Sequence, residues 1–259
     1  MTPVVSAPPG TQAVHRAFIV LKAFDTNHPE WSVTDLARHI GLHKSTTFRL
    51  LGALAHEGML EHDESSGIYR LGAELIALGT QALRSTDLYI ASHASLEDLA
   101  RETGETATIE ILVGNETVIL DEVHGRHLIG GRPDFGLRYP AHATSTGKLL
   151  LAAERFGQPG ERRMRRLHLT KLSPKTITTI AAFDRELIKV WRQGFATAIE
   201  EIEIGYSAIG APIRNVNGRT VAAISVGGAK PRFTRPRIRQ LATRVCDAAA
   251  LVSRRLGAS

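Results

Sequence analysis

Cysteine is nearly missing from this chain. The single Cys246 excludes a disulfide within it and suits a reducing cytoplasm, the expected location. Cys246 lies in the helical run RIRQLATRVCDAAALVSRRL, where a buried thiol acting as a small hydrophobe is the simpler reading. Long apolar runs are missing too. None approaches the roughly 18 residues of a membrane-spanning helix, so no membrane partner is expected. The opening MTPVVSAPPGTQ is proline-rich and lacks the basic-then-apolar order of a secretory leader, and residues 1–12 are expected to be a disordered tail.

Catalytic motifs are half-spelled and lack their partners. Ser145-Thr146-Gly147-Lys148 has the S-x-x-K spacing of penicillin-interactive enzymes, but no S-D-N or K-T-G follows. Gly147-Lys148 lacks the preceding glycine and the following hydroxyl of a phosphate-binding loop. Asp134-Phe135-Gly136 stands without the other kinase signatures. His124, His127 and His142 offer imidazoles, although exposed or capping histidines explain them more simply, and neither metal nor cofactor is expected. The expectation is therefore a protein that is not an enzyme. The alternatives are a small-molecule enzyme with an accessory DNA-binding motif and a DNA-binding protein without an effector.

Basic excess is also missing where nucleic acid would be met. The chain carries +6 overall, yet residues 1–84 hold seven Lys plus Arg against eight Asp plus Glu. Local pattern must therefore carry any DNA-binding claim. The densest basic cluster, Arg162, Arg163, Arg165 and Arg166, reads as a solvated helix face.

What is present begins with WSVTDLARHIGLHKSTTFRLLGAL, residues 31–54. Ser32 and Asp35 make a capping-box-like start, Leu36, Ala37 and Ile40 an apolar stripe, and Gly41 a stop. The chain then resumes with Thr47, Leu50, Leu51 and Leu54 on one helical face, which leaves Ser45, Phe48, Arg49, Gly52 and His56 on the other. Two helices across a glycine turn make a helix-turn-helix. An ordinary helical hairpin shows the same pattern, but EHDESSGIYRLG follows at once, with two strand-like pieces around a turn at residues 65–67. That combination is a winged helix. Its second helix is expected to read double-stranded DNA with Ser45, Thr46, Phe48 and Arg49 nearest base edges and Lys44 at a phosphate, with Arg70 on the wing touching flanking DNA. An exposed Gly52 would let backbone approach DNA.

A helix over residues 14–24 should pack on this motif. After the wing, residues 72–104 are helical by spacing, the first half a connector and the second the opening helix of another domain. TATIEILV and TVILDEV are strands around Gly114-Asn115-Glu116, and residues 195–199, 207–214 and 220–226 are further strands, the last two joined at Asn217-Gly218. Helices are expected at 147–154, 176–192 and 234–256. The pattern implies an α+β fold with an antiparallel sheet backed by helices. In HATSTGKLLLAA, residues 142–153, small residues lead straight into a helix, so backbone N–H groups and the positive helix end converge as a cradle for a carboxylate.

The segments SVTDLARHIGLHKSTTFRLLGALAHEGML, YRLG, YPAHATSTGKLLLA and GFATAIEEIEIGYSAIGAPIRNVNGRTVAAISV, in that order and spacing, resemble the IclR (isocitrate lyase regulator) family of bacterial transcriptional regulators. The resemblance implies a winged helix-turn-helix over 13–75, a linker helix over 76–90, and a GAF-like effector-binding and oligomerisation domain over 91–259. It implies a repressor of a catabolic operon that binds a pseudo-palindromic operator as a dimer or tetramer and answers to a small organic acid. The implied effector contacts are Leu128, Tyr139, Ser145, Thr146, Tyr206, Ala208 and Ser225, with Glu200, Glu201 and Gly205 on the far wall. Ala198 and Ala208 stand where a relative that binds small keto acids has aspartate and cysteine, so a larger, partly apolar ligand such as an aromatic acid suits this pocket better.

Overall fold

Contacts divide the chain into two units, residues 1–85 and 86–259. The structure is a computed structural model; it describes residues 8, 10–25, 27–84, 86–127, 136–157 and 167–258.

In the first unit the order is α1 (Gln12–Lys22), β1 (Glu30–Ser32), α2 (Val33–Ile40), α3 (Lys44–His56), β2 (Leu60–Asp63), β3 (Ile68–Leu71) and α4 (Ala73–Arg84). Ser32 caps α2 by accepting the Asp35 N–H at 3.1 Å, and Gly41 ends it in the left-handed region at φ 67°. Val20, Phe24, Leu36, Leu51, Leu60 and Tyr69 share one core with Trp31, whose indole N–H donates to the Ala23 carbonyl at 2.9 Å. Burial of each such large apolar side chain stabilises by roughly 1.5–3 kcal/mol. The wing is a three-stranded antiparallel sheet, β1-β3-β2, rather than a hairpin alone, because Trp31 pairs with Tyr69 across β1 and β3. Its turn is held by Asp63, which accepts from Ser65 N–H, Ser65 Oγ and Ser66 Oγ; those bonds hold the carboxyl far below the usual range.

In the second unit α5 (Asp87–Thr103) is followed by β4 (Thr106–Val113), β5 (Glu116–Val123), β6 (Arg138–Pro140), a 3-10 turn at Ala141–Ala143, α6 (Ser145–Phe156), α7 (Ile180–Gln193), β7 (Ala196–Ile199), β8 (Tyr206–Arg214), β9 (Thr220–Ala229) and α8 (Arg235–Arg255). The run expected to be helical through 72–104 is two helices, α4 ending at Arg84 and α5 starting at Asp87. The helix expected from 176 starts at Ile180, because the Thr176 hydroxyl takes the Leu172 and Ser173 N–H groups and donates to Glu201 O, a local alternative to helical bonding.

The six strands form one antiparallel sheet in the order β6-β5-β4-β9-β8-β7. Strand alternation gives it two faces. Ala107 and Ile109 of β4, Ile209, Ala211 and Ile213 of β8, and Ala222, Ile224 and Val226 of β9 meet α5 and α8 in one core. The opposite face, with Ala196 and Ala223, meets α6 and α7 through Leu149, Leu150, Phe183, Leu187 and Val190. Among the described residues no helix is long and apolar enough to cross a membrane.

Candidate functional site

The outward face of α3 is built by what its inward face buries. Thr47 and Leu51 are fully buried, and the Thr47 hydroxyl donates to His43 O at 3.2 Å. Lys44, Ser45, Phe48, Arg49 and Gly52 are thereby left exposed, Phe48 at 59%. Thr46 is half-buried. Ser32, Val33, Thr34, Lys44, Ser45, Phe48 and Gly67 line an open groove of about 700 Å³, where the starts of α2 and α3 meet the wing turn. Helix N-termini and a lysine at one concavity favour an anion. A Cβ at Gly52 would meet nothing within 4 Å, so nothing inside the chain requires glycine at this helical position. Arg70 is exposed but paired: its Nε and Nη2 donate to Glu30 Oε2 at 3.0 and 2.6 Å.

The second unit gathers its polar side chains on the sheet face under α6. Antiparallel partners share a face. One row runs Ala198, Ala208, Gly227; the next Gly210, Ser225, Thr108; the next Ala223, Glu110, Ile119; and Leu112, Thr117 and Tyr139 follow. A Cβ at Gly227 would fall on the Tyr206 hydroxyl, and one at Gly210 would lie 3.3 Å from Ser145 Oγ. These two glycines let Tyr206 lie across the sheet and let α6 approach it. The start of α6 is wholly buried, with the Thr144 hydroxyl accepting the Gly147 N–H at 2.8 Å.

Thr146 Oγ1 donates to Glu110 Oε2 at 2.7 Å, and Thr108 Oγ1 donates to Glu110 Oε1 at 3.1 Å while lying 2.8 Å from Ser225 Oγ. Glu110 is buried without an ion-pair partner among the described residues, and burial pushes its carboxyl up against the pull of these hydroxyls. Two residues along α6, Lys148 Nζ donates to Glu201 Oε1 at 2.6 Å and Thr197 O at 2.9 Å, with Glu186 Oε1 at 3.5 Å. The lysine of the S-x-x-K spacing is thus held by carboxylates. His142 is buried, its Nε2 2.9 Å from Thr170 O, and burial lowers its pKa.

Of the residues singled out from the sequence, Tyr139, Ser145, Thr146, Tyr206, Ala208 and Ser225 come to this one face or to the helix start above it. Leu128, Asp134, Phe135 and the cluster from Arg162 to Arg166 lie outside the described residues. Glu201 is engaged by Lys148, and Glu200 sits in the left-handed region at φ 57° with its side chain accepting the Gly205 N–H at 3.1 Å. Sequence reasoning missed Glu110, Thr108 and Thr117. The signal available was the alternation in TATIEILV, which puts Thr106, Thr108 and Glu110 on the face opposite Ala107, Ile109 and Ile111.

Residues 13–64 match the IclR helix-turn-helix domain, and residues 80–254 match the bacterial transcriptional regulator IclR C-terminal domain. The chain is 30% identical over 253 residues to the HTH-type transcriptional regulator XynR of Escherichia coli, covering 96% of this chain and 98% of that one. It is 31% identical over 256 residues to the glycerol operon regulatory protein of Streptomyces griseus, covering 95% and 97%. An IclR homolog from Microbacterium hydrocarbonoxydans, solved in complex with 4-hydroxybenzoate, superposes with a TM-score of 0.77 at 26% identity, covering 95% of this chain and all of that one. The groove at the start of α3 and the buried polar face under α6 therefore belong to a member of the IclR family of bacterial transcriptional regulators, which bind DNA through the helix-turn-helix and a small-molecule effector through the C-terminal domain, and are not enzymes.

Proposed function

We propose that this regulator is a repressor of a catabolic operon, released by a small organic acid. Two subunits, or two pairs, would place α3 in successive major grooves of a pseudo-palindromic operator, with half-sites about 34–36 Å apart or a multiple of that. Ser45, Thr46, Phe48 and Arg49 would face base edges, Lys44 a phosphate in the groove beside the α2 start, and Arg70 a flanking phosphate after leaving Glu30. The observation that carries this is the outward face of α3, which exposes Lys44, Ser45, Phe48 and Arg49 and opens onto a concavity that favours an anion.

The effector would lie against Tyr139, Ser145, Thr146, Tyr206, Ala208 and Ser225, with Leu128 on the segment leading to Tyr139. The small side chains of Ala198 and Ala208 favour a ring-sized ligand, and the 4-hydroxybenzoate in a structural relative supports an aromatic acid. A coupling of about 1–3 kcal/mol through α4 would change operator affinity roughly 5- to 150-fold.

The test is selection of bound duplexes from a random library by the full chain. A recovered pseudo-palindrome supports the reading. Arg49→Ala should lose about 1–3 kcal/mol of specific affinity and relax the preference at one or two positions, with unfolding unchanged. Sequence-indifferent binding by the wild type, or undiminished selection by Arg49→Ala, would remove it.

A further inference from the structure

The hydroxyls under α6 point one way. Thr108 has a single hydrogen, and it goes to Glu110 Oε1. The 2.8 Å contact with Ser225 must then be Ser225 donating to Thr108, and Thr146 donates to Glu110 Oε2. All three hydrogens run toward one carboxylate. The atoms that Ser225 and Thr108 still offer are lone pairs, and Glu110 brings no cation with it among the described residues. Thr117, fully buried in the neighbouring row, comes close enough to Glu110 to favour its charged form but lies outside hydrogen-bonding geometry, so among the described residues its hydroxyl has no partner. A buried hydroxyl in that condition beside a carboxyl can still pair with a polar group of a ligand.

We infer that Glu110 selects the effector: the end of the ligand at the start of α6 carries a hydroxyl or amino hydrogen-bond donor, and the ligand's own carboxylate lies at its other end. This rests on the effector-binding reading above and refines it. The helix start that looked in sequence like a cradle for a ligand carboxylate already faces a buried carboxyl of the chain that accepts from Thr108 and Thr146, and a ligand carboxylate there would set acceptor against acceptor in a water-poor interior. A donor meets an acceptor instead. A site built around a hydrogen bond rejects the analogue that lacks the partner more strongly than an apolar pocket rejects an extra group.

The experiment is calorimetric titration and thermal shift of the full chain with two matched series: benzoate, 4-hydroxybenzoate, 4-aminobenzoate and terephthalate; and hexanoate, 6-hydroxyhexanoate, 6-aminohexanoate and adipate. In at least one series the hydroxy or amino member should bind roughly tenfold or more tightly than the unsubstituted acid and the diacid. Success of 6-aminohexanoate alone would identify the donor as a cation, and success of a hydroxy member or of 4-aminobenzoate, whose aryl amine is uncharged at neutral pH, a neutral group. Glu110→Gln, which adds an N–H donor, should shrink that preference and improve the diacid. Thr117→Val keeps the shape of the core; it should raise the melting temperature of the free protein while reducing the ligand-induced shift, a pair of changes that a purely structural threonine would not give. Tightest binding by a diacid or an unsubstituted acid, a donor preference untouched in both variants, or no binding by any hydroxy or amino member overturns the inference. Operator selection on the same preparation separates the two readings: a recovered operator with a failed titration strikes Glu110 alone.

Discussion

Lys148 is fully buried yet charged, and its surroundings explain why that is tolerated. Its ammonium meets Glu201, Glu186 and the Thr197 carbonyl, tying α6 to the β7 end of the sheet. The attraction offsets a large desolvation cost, and burial still pushes the Glu201 carboxyl up against the pull of Lys148. Lys148→Ala should therefore cost about 3–5 kcal/mol in urea unfolding, since it strands Glu201, whereas the double change Lys148→Met with Glu201→Leu should recover most of that loss. Equal losses in the two proteins would show that packing rather than charge pairing governs the position. Glu110 gives the opposite case, a buried carboxyl without a cation among the described residues. Its pKa is raised from 4.5 on folding. A group raised on folding contributes stability that is complete below its unfolded value and is lost as pH climbs through the folded value. Glu110→Gln carries no such ionisation. The stability of the variant relative to wild type should thus rise as pH climbs above the ordinary glutamate range, and a difference independent of pH would mean that Glu110 ionises as readily folded as unfolded.

Among the elements, α2 is the most dependent on its ends, being eight residues long. Ser32 accepts the Asp35 N–H and donates to Asp35 Oδ2 at 2.7 Å, so one residue satisfies an orphan donor and holds the acid near the positive helix end. Ser32→Ala should destabilise the first unit by about 1 kcal/mol. Each unit has one tryptophan, Trp31 and Trp191, so Trp31 fluorescence in a Trp191→Phe background would report it, and an unmoved midpoint would show the cap to be dispensable. Both ends of α2 were legible because the Ser32 cap and Gly41 stop are local chemistry, as were the β4–β5 and β8–β9 hairpins, whose turns carry Gly114 and Gly218 at positive φ. Strand β1 was not, since three residues become a strand only by pairing with β3 forty positions on. The same holds for β6, which exists through β5. Glu110 was overlooked for a related reason: alternation assigns it to a face, but only α6, thirty-six residues later, makes that face a buried one.

At the scale of the whole molecule, charge is distributed against simple expectation for a DNA-binding protein. The chain is +6, yet residues 1–84, which contain the helix-turn-helix, carry one more acid than base. Arg38 there is committed to Asp35, and with Arg49 at base edges the cations proposed to meet phosphate are Lys44 on α3 and Arg70 once it leaves Glu30. Backbone N–H groups at helix starts hold phosphates without adding a cation, so they strengthen binding without releasing further counterions. With about two phosphate neutralisations per subunit at slope −0.9 each, a dimer should show log K against log salt falling with a slope near −4. Sequence preference should consequently survive physiological salt better than in a protein that relies on a basic surface, because less of its affinity is screened. Titration of operator binding from about 50 to 200 mM salt measures this directly. A slope steeper than about −7 would mean that cations beyond Lys44 and Arg70 reach the duplex.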